Sequence, residues 1–310
     1  MIESYEKAGQ IVSKVRDAGV KLIKDDLLIL DLVEFVEGEI LKAGAGIAFP
    51  CNVSVNEITA HYTAPANDET KISTGDLVKL DLGAHVDGYI ADSAITIIAP
   101  GKDLEEKYDS DTLNKHKELI EASDAGLEAA ISTVRPGVEI GKIGQAVEEA
   151  INGFGFNPIS NLAGHGLEQW NLHSGLSIPN IADNSTAKLK EGDAIAIEPF
   201  ATDGVGWVTD TPHNYIFRYL KDKPFRMAHT QKVLREIKAN YADLPFSIRW
   251  LTKEFNENRL NSSMRQLSQA MAIYAYPALR EKTNCWVSQS EHTVIVEGDG
   301  CTITTKWVVI

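Results

Sequence analysis

The chain has 310 residues, of which 44% are hydrophobic and 24% are charged, so it is long and apolar enough to bury a sizeable core. Its formal net charge of -14 opposes direct binding to nucleic acid or to anionic lipid, because both carry negative charge. It has no uncharged apolar stretch of membrane-spanning length, and residues 1–7 lack the basic and then apolar order of a secretory signal. We therefore expect a globular cytoplasmic protein without a membrane anchor.

The three cysteines lie far apart and show no Cys-x-x-Cys spacing. Cys51, Cys285 and Cys301 cannot all pair within one chain, which is typical of a reducing compartment. We interpret each of them as a small hydrophobic residue rather than as a metal ligand.

The first forty residues alternate apolar and charged positions at helical spacing, which predicts two helices. The apolar positions available to face a core are Ile11, Val15, Leu22, Leu27, Leu30, Val33 and Val36. Residues 43–63 are rich in Gly, Ala, Pro and Asn, which indicates a loop with a short strand.

From residue 76 to residue 98 the apolar pattern changes to a period of two. It is interrupted by Asp87-Gly88, and Asp-Gly between two alternating runs is the strongest short-range signal for a β-hairpin. With a two-residue turn at this dipeptide, Asp81 lies opposite Ala94 and Asp92 lies opposite Gly83. Longer turns with an even number of residues keep this facing, whereas odd ones reverse it.

The predicted register places Asp81 and Asp92 on one face of the hairpin as diagonal neighbours, with Cα atoms roughly 7–8 Å apart. Two carboxylates this close repel each other unless a cation lies between them. Taken alone, the pair is compatible with a solvent-facing sheet or with a metal site. The apolar neighbours of both acids favour the metal site, and the small Gly83 leaves space for a ligand to approach.

The rest of the chain alternates between helical and strand-like patterns. It predicts helices over residues 110–134 and 140–153, a strand over residues 194–198, and strands over residues 286–296 and 303–310. Between them lies a charged amphipathic block, residues 213–276, which predicts helices over residues 231–240, 247–258 and 264–275.

Two segments of the chain echo each other. Residues 75–81 and 192–198 both begin Gly-Asp, continue as an apolar strand and carry a carboxylate six positions after the glycine. If the two halves are related by a pseudo-twofold axis, Asp81 and Glu198 approach that axis from equivalent strands. Gly-Asp before an apolar strand is also common turn chemistry, which leaves chance open.

Three more candidate ligands lie on separate stretches: His165 between two glycines, Glu198 before a proline, and Glu291 within an apolar C-terminal strand. Together with Asp81 and Asp92 they form an oxygen-rich set, which suits manganese, iron, cobalt or zinc at two adjacent sites. Spacing alone does not bring these five residues together.

The order of these residues and several short motifs resemble the type 2 methionine aminopeptidases. The motifs occupy residues 48–50, 60–63, 81–83, 161–166, 172–175, 196–200 and 291–293, and the resemblance covers nearly the whole chain. It implies an α+β pita-bread fold with pseudo-twofold related halves, formed by residues 1–212 and 277–310, and a helical insertion at residues 213–276. The absence of a long N-terminal extension resembles the short archaeal forms.

The resemblance implies an enzyme that removes the initiator methionine from proteins and peptides with a small second residue. A hydroxide held by two divalent metal ions attacks the first peptide bond in this family. The implied partners are nascent polypeptide N-termini, with transient ribosome contact. A monomer is expected, without direct nucleic-acid or membrane binding.

The resemblance also assigns roles to individual residues. Asp81 and Asp92 hold one ion, while Asp92, His165, Glu198 and Glu291 hold the other, with Asp92 and Glu291 bridging. Glu198 also takes the proton of the attacking water.

Other motif residues are expected to contact the substrate. His61 and His173 polarise the scissile carbonyl or stabilise charge that develops on it. His213 lies near the place of a further pocket histidine, but its spacing from Glu198 does not match. His292 is expected to point away from the site and serve structure. The residues expected to line the methionine pocket are Phe49, Leu172 and Tyr276.

Two other functions are compatible with the same predicted fold. One is a proline-specific peptidase of the same fold, such as prolidase or aminopeptidase P, although those relatives usually carry a substantial N-terminal domain. The other is a non-catalytic ribosome-binding or RNA-binding relative, although such proteins lose metal ligands, and all five are present here.

Overall fold

The computed structural model describes residues 1–283 and 285–306. The first half of the chain places two helices on a three-stranded antiparallel sheet of order β1-β3-β4. Helix α1 packs on β3 and β4, and α2 packs on β1, because each helix turns an apolar stripe toward the sheet. The elements are α1 (Ile2–Val20), α2 (Ile29–Lys42), β1 (Gly46–Val55), β2 (Ile58–Ala60), β3 (Leu77–Val86) and β4 (Tyr89–Ile98).

The second half repeats this arrangement with a larger sheet. Helices α4 and α5 pack on each other and share an apolar core with a five-stranded sheet of order β15-β14-β8-β6-β7. The elements of this stretch are α3 (Leu104–Lys107), α4 (Ser110–Thr133), α5 (Ile140–Gly153), β5 (Asn157–Pro158), β6 (Ala163–Glu168), β7 (Asn171–Pro179), β8 (Ala194–Ile197) and β9 (Phe200–Thr202).

The last third contributes a helical layer, strands of two further sheets, and β14 and β15 of the five-stranded sheet. Strand β10 pairs with β11 and β12, and β12 pairs with β2, while β9 lies between β13 and β5. The elements are β10 (Val208–Tyr219), α6 (Ala228–Tyr241), β11 (Phe246–Ser247), α7 (Ile248–Leu251), α8 (Glu257–Gln269), β12 (Ile273–Glu281), β13 (Val287–Gln289), β14 (His292–Glu297) and β15 (Gly300–Ile303).

The echo between the two halves extends to matching hydrogen bonds. Gly75 and Gly192 both have positive φ, of 86° and 87°. The carboxylate of Asp76 accepts from Ser73 N at 2.8 Å, and that of Asp193 accepts from Lys190 N at 2.7 Å. Each glycine N–H then donates to the neighbouring strand, and that strand returns an N–H to the aspartate carbonyl. The same turn therefore starts β3 and β8, as expected of halves related by a pseudo-twofold axis.

Most predicted elements form at or near their expected positions. The two N-terminal helices, the hairpin, α4 and α5 are confirmed, but Leu22 lies between the two helices and is 37% exposed. Residues 43–63 contain a ten-residue strand instead of mostly loop, because pairing of β1 with β3 outweighs the local composition.

The predicted helices of the charged block are only partly correct. The helix at residues 231–240 is confirmed as part of α6. Of residues 247–258, only the single turn α7 and the first two residues of α8 are helical. Residues 273–275 belong to β12, since β12 pairs with β10 across the sheet. The C-terminal strand expected at 286–296 breaks after Gln289, and of the strand expected at 303–310 the last four residues lie outside the described part.

The helical block has a core of its own. Buried side chains of α6, α8, β10 and β12 meet there, among them Val233, Leu234, Leu260 and Leu267. The predicted boundaries at 212/213 and 276/277 fall inside β10 and β12, which pair with each other. The division into a catalytic domain and an insertion stays a prediction. Within the described ranges, every helix is too short or too polar to cross a membrane.

Candidate metal centre

The hairpin has the predicted register. A two-residue turn at Asp87-Gly88 has positive φ at both positions, 53° and 85°, which matches the right-handed twist of the flanking strands. Asp81 pairs with Ala94 and Asp92 pairs with Gly83, as the sequence predicts. Both aspartates therefore lie on one face of the hairpin, and this part of the prediction is confirmed.

The space beside Gly83 is used differently from what we expect. A Cβ added at Gly83 would lie 2.2 Å from Cε1 of Phe49, which pairs with Gly83 across the sheet. The missing side chain thus admits the phenyl ring of Phe49 and not a ligand. The prediction of ligand space at Gly83 is wrong, and the glycine instead shapes the apolar wall next to the aspartates.

The other three predicted ligands arrive from separate strands. His165 lies on β6, and its Nε2 is 3.7 Å from Asp92 Oδ2 and 3.9 Å from Glu198 Oε1. Glu198 follows β8 directly. Potential ligand atoms of Asp92, His165 and Glu291 all lie within 4.8 Å of one another, which is close enough to coordinate one ion.

Glu291 lies in the break between β13 and β14, not within a continuous strand as expected. Its backbone N–H donates to Ala94 O at 3.0 Å, and its carbonyl accepts from Ser93 Oγ at 2.8 Å. Thr293 then binds the backbone N–H of Asp92 through Oγ1 at 2.7 Å. These bonds replace the regular ladder and tie Glu291 to the hairpin that carries both aspartates.

The cluster is electrostatically costly without a cation. Burial raises the pKa of Asp81 to about 6, although the Asn52 and Gln289 amides oppose part of this rise. Burial, together with the neighbouring acids, raises the pKa values of Asp92, Glu198 and Glu291 well above their usual range. Four acids this close repel one another when ionised.

The unpaired oxygens of the cluster test whether a metal fits. Oδ1 of Asp81, Oδ1 of Asp92 and Oε1 of Glu291 are buried and have no hydrogen-bond partner among the described residues. Buried carboxylate oxygens of this kind are satisfied by cations. A set of four carboxylates and one imidazole suits divalent manganese, iron, cobalt or zinc, so the residues present fit the ions.

The histidines at the site are neutral at physiological pH. Burial lowers the pKa of His165 to about 4 and also lowers that of His61. His173 is exposed to solvent on one side, and partial desolvation together with the neighbouring His165 and His61 lowers its pKa. A neutral imidazole offers one acceptor nitrogen for a metal and one N–H donor. His61 has a φ of 63°, and such strain in a residue other than glycine is concentrated at functional sites.

Rings surround the mouth of the cavity. The His173 ring lies 4.4 Å from that of His165 and 6.2 Å from that of Tyr276, and the His61 ring lies 5.7 Å from Tyr276. All the residues predicted for the site line this one cavity: Phe49, His61, Asp81, Asp92, His165, Leu172, His173, Glu198, Tyr276 and Glu291.

Three lining residues escaped the sequence prediction: Asn52, Ile216 and Pro245. Of these, Asn52 follows the Ala-Phe-Pro motif by two positions, and this proximity was the available signal. His213 is exposed and stacks beside Tyr215, whereas Ile216, three positions later, is buried in the cavity wall. His213 is therefore not among the residues that line the cavity, whereas Ile216 is. His292 is buried with Nδ1 3.0 Å from Thr305 Oγ1, outside the cavity.

Comparison with known proteins adds evidence independent of the cavity. Residues 3–235 match metallopeptidase family M24. The chain is 56% identical over 306 residues to a methionine aminopeptidase of Methanothermobacter thermautotrophicus, and the match covers 99% of each chain.

Solved structures with the same fold have more distant sequences. A thermophilic Arx1 superposes with a TM-score of 0.84 at 21% identity, over 97% of this chain and 89% of that one. A methionine aminopeptidase from Thermotoga maritima gives a TM-score of 0.69 at 23% identity, over 98% of this chain and 96% of that one. Identities this low describe the fold alone.

Proposed function

This chain belongs to metallopeptidase family M24, and we infer that it removes the initiator methionine from the N-termini of proteins and peptides. Its α+β pita-bread fold, predicted from the sequence, is confirmed. The observation that carries the proposal is that side chains from widely separated stretches of the chain, between residues 49 and 291, line one cavity with an acidic, metal-compatible floor and an apolar wall.

The family implies the use of divalent metal ions. We assign one ion to Asp81 and Asp92, and a second to Asp92, His165, Glu198 and Glu291, with Asp92 and Glu291 shared. Such ions, when bound, polarise a carbonyl and lower the pKa of water, so that hydroxide is available near neutral pH.

The protein's own side chains perform the remaining steps. A carboxylate oxygen of Glu198 takes the proton of the attacking water and later passes it to the leaving amine. Neutral His61 and His173 each donate an N–H toward the scissile carbonyl and the charge that develops on it.

The apolar wall selects the first residue of the substrate. Phe49, Leu172 and Tyr276, with Ile216 and Pro245, surround a space of the kind that an unbranched thioether side chain fills. Because such a pocket discriminates by only about 1–3 kcal/mol per methylene, we expect norleucine to be accepted. We expect the second residue to be small, since the cavity that holds the first residue must also admit the side chain of the second.

Peptide cleavage distinguishes this function from its rivals. Met-Ala-Ser should be cleaved much faster than X-Pro peptides of equal length, and faster cleavage of X-Pro would point to a proline-specific enzyme. Metal-free protein should regain activity after addition of manganese, iron or cobalt. If it stays inactive with every one of these ions, a non-catalytic role is favoured.

The cellular setting follows from the same substrate. We propose that the enzyme acts in the cytoplasm as a monomer on nascent N-termini, with transient contact to the ribosome. The three thiols are free in the structure, which agrees with a reducing compartment. Sedimentation of the protein alone and with ribosomes at low salt tests both proposals. A stable dimer, or the absence of co-sedimentation, would contradict the corresponding one.

A further inference from the structure

One buried acceptor in the cavity has no role in the chemistry above. Within the described ranges, the lining residues have five buried polar atoms without a hydrogen-bond partner, on Asp81, Asp92, Glu291, His61 and Asn52. Three are carboxylate oxygens assigned to the ions, and one is a ring nitrogen of a histidine assigned to the scissile carbonyl. The remaining atom is Oδ1 of Asn52, an acceptor that lacks a donor.

The orientation of the Asn52 amide is fixed by its neighbour. Asn52 pairs with Asp81 across the sheet, and its Nδ2 donates to Asp81 Oδ2 at 3.2 Å. A carboxylate accepts hydrogen bonds and does not donate them, so the nitrogen end must face Asp81 and the oxygen end must lie elsewhere. The side chain is 4% exposed, which shields that oxygen from bulk water.

A bulge in β1 brings this amide to the cavity. Residues three apart on a regular strand point to opposite faces, yet Phe49 and Asn52 both line the cavity. The register between β1 and β3 shifts between these two positions, which adds a residue and turns both side chains to the same face. The same short segment therefore presents an apolar ring and an amide oxygen to one ligand.

We propose that Asn52 Oδ1 accepts a hydrogen bond from the α-amino group of the substrate, which makes Asn52 a specificity-determining residue for a free N-terminus. This inference rests on the proposed function, because a peptide held by its first side chain against Phe49 brings its amino group to the same part of the wall. An amino group supplies the missing N–H donor to this buried oxygen.

The proposal is tested with two ligands that differ only in the amino group. They are the phosphonic acid analogue of methionine and the same compound without its amino group, each titrated calorimetrically into manganese-loaded protein. In Asn52→Leu the preference for the amino compound should fall about tenfold, which corresponds to about 1.4 kcal/mol. The control Ile216→Ala should weaken both ligands in parallel and leave the preference unchanged.

Asn52→Asp gives a second measurement, because it keeps an acceptor of similar size at the same position. Its preference for the amino compound should equal or exceed that of the unmodified protein, and a fall to the level of Asn52→Leu would overturn the proposal. Metal content and thermal unfolding are measured on every variant. If Asn52→Leu binds less metal yet keeps the full ligand preference when saturated, Asn52 acts only on Asp81 and the proposal is wrong. If the unmodified, manganese-loaded protein does not cleave Met-Ala-Ser, the proposed function is contradicted instead.

Discussion

The two sides of the cavity are assembled in different ways. Asp81 and Asp92 come from one hairpin, and their common face follows from the register of a two-residue turn. His165, Glu198 and Glu291 come from three strands or strand ends, and they meet because distant parts of the chain pair with each other. A local pair of ligands is thus specified by short-range pattern, whereas a convergent set is specified only by the complete fold.

We expect the largest loss of activity from variants that remove one metal ligand from either side of the cavity. Glu291→Gln on the convergent side and Asp81→Asn on the hairpin side should each lower kcat/KM on Met-Ala-Ser by at least about 10³-fold, the scale of several kcal/mol of transition-state stabilisation. His165→Ala should do the same. The helical block should remain folded, because its core is separate from the cavity.

Steady-state kinetics, metal analysis and circular dichroism measure the activity, the metal content and the folding of these variants. Loss of activity in the convergent-side variants alone would show that the hairpin pair is dispensable. Near-normal turnover in either convergent-side variant would show that the proposed ligand set is wrong.

Metal removal tests both sides together, with a defined dependence on pH. In metal-free protein the folded state keeps protons on carboxyls with raised pKa values, such as Asp81 at about 6, so its stability falls as pH rises from about 4 through 6. Bound ions remove this penalty. Stabilisation by manganese should therefore grow from pH 5 to pH 8, reaching about 3 kcal/mol at an ion concentration near 100 times Kd.

Thermal unfolding with manganese or with chelator, at several pH values, measures that stabilisation. A constant difference across the range, or a larger one at pH 5, would contradict the buried acidic cluster. Magnesium-free buffers and a matched ionic strength keep the comparison specific.

Gly83→Val changes the apolar wall on the hairpin side and leaves every proposed metal ligand in place. Because a Cβ here would meet the Phe49 ring at 2.2 Å, the ring must move, at a cost of about 1–3 kcal/mol in the free energy of unfolding. We expect kcat/KM on methionyl peptides to fall at least about tenfold while metal content is retained. Unchanged kinetics would show that Phe49 does not shape the methionine pocket.

The smallest expected effect concerns a glycine outside the site. Gly38 lies inside α2, and an added Cβ there meets no atom within 4 Å. Gly38→Ala should raise the free energy of unfolding by about 0.5–1 kcal/mol and leave kcat/KM unchanged. Denaturant unfolding measures the stability of Gly38→Ala, which is the matched control for Gly83→Val. A loss of activity in Gly38→Ala would show that the kinetic effect of Gly83→Val is not local.

The sequence predicts the hairpin side in detail because the relevant physics is local. Alternation, an Asp-Gly turn and the pleat of a strand together determine that Asp81 and Asp92 share a face. The Gly-Asp turns that start β3 and β8 were visible for the same reason, since each uses contacts within three residues.

The rest of the site needed long-range contacts. Glu291 was expected inside a strand, but its N–H binds the hairpin carbonyl of Ala94 instead of continuing its own ladder. The register shift in β1 that turns Asn52 to the cavity arises from pairing with β3, which leaves no local signature. Resemblance to a known family, not spacing, joined His165, Glu198 and Glu291 to the aspartates.

The most direct test of the central claim is an anomalous-scattering map of manganese-soaked crystals, collected at the manganese edge. We predict two peaks inside the cavity, one against Asp81 and Asp92 and one against His165, Glu198 and Glu291. Peaks that lie outside this cavity would contradict the assignment. So would a map without an ion beside His165, if the same manganese-loaded protein is fully active in solution.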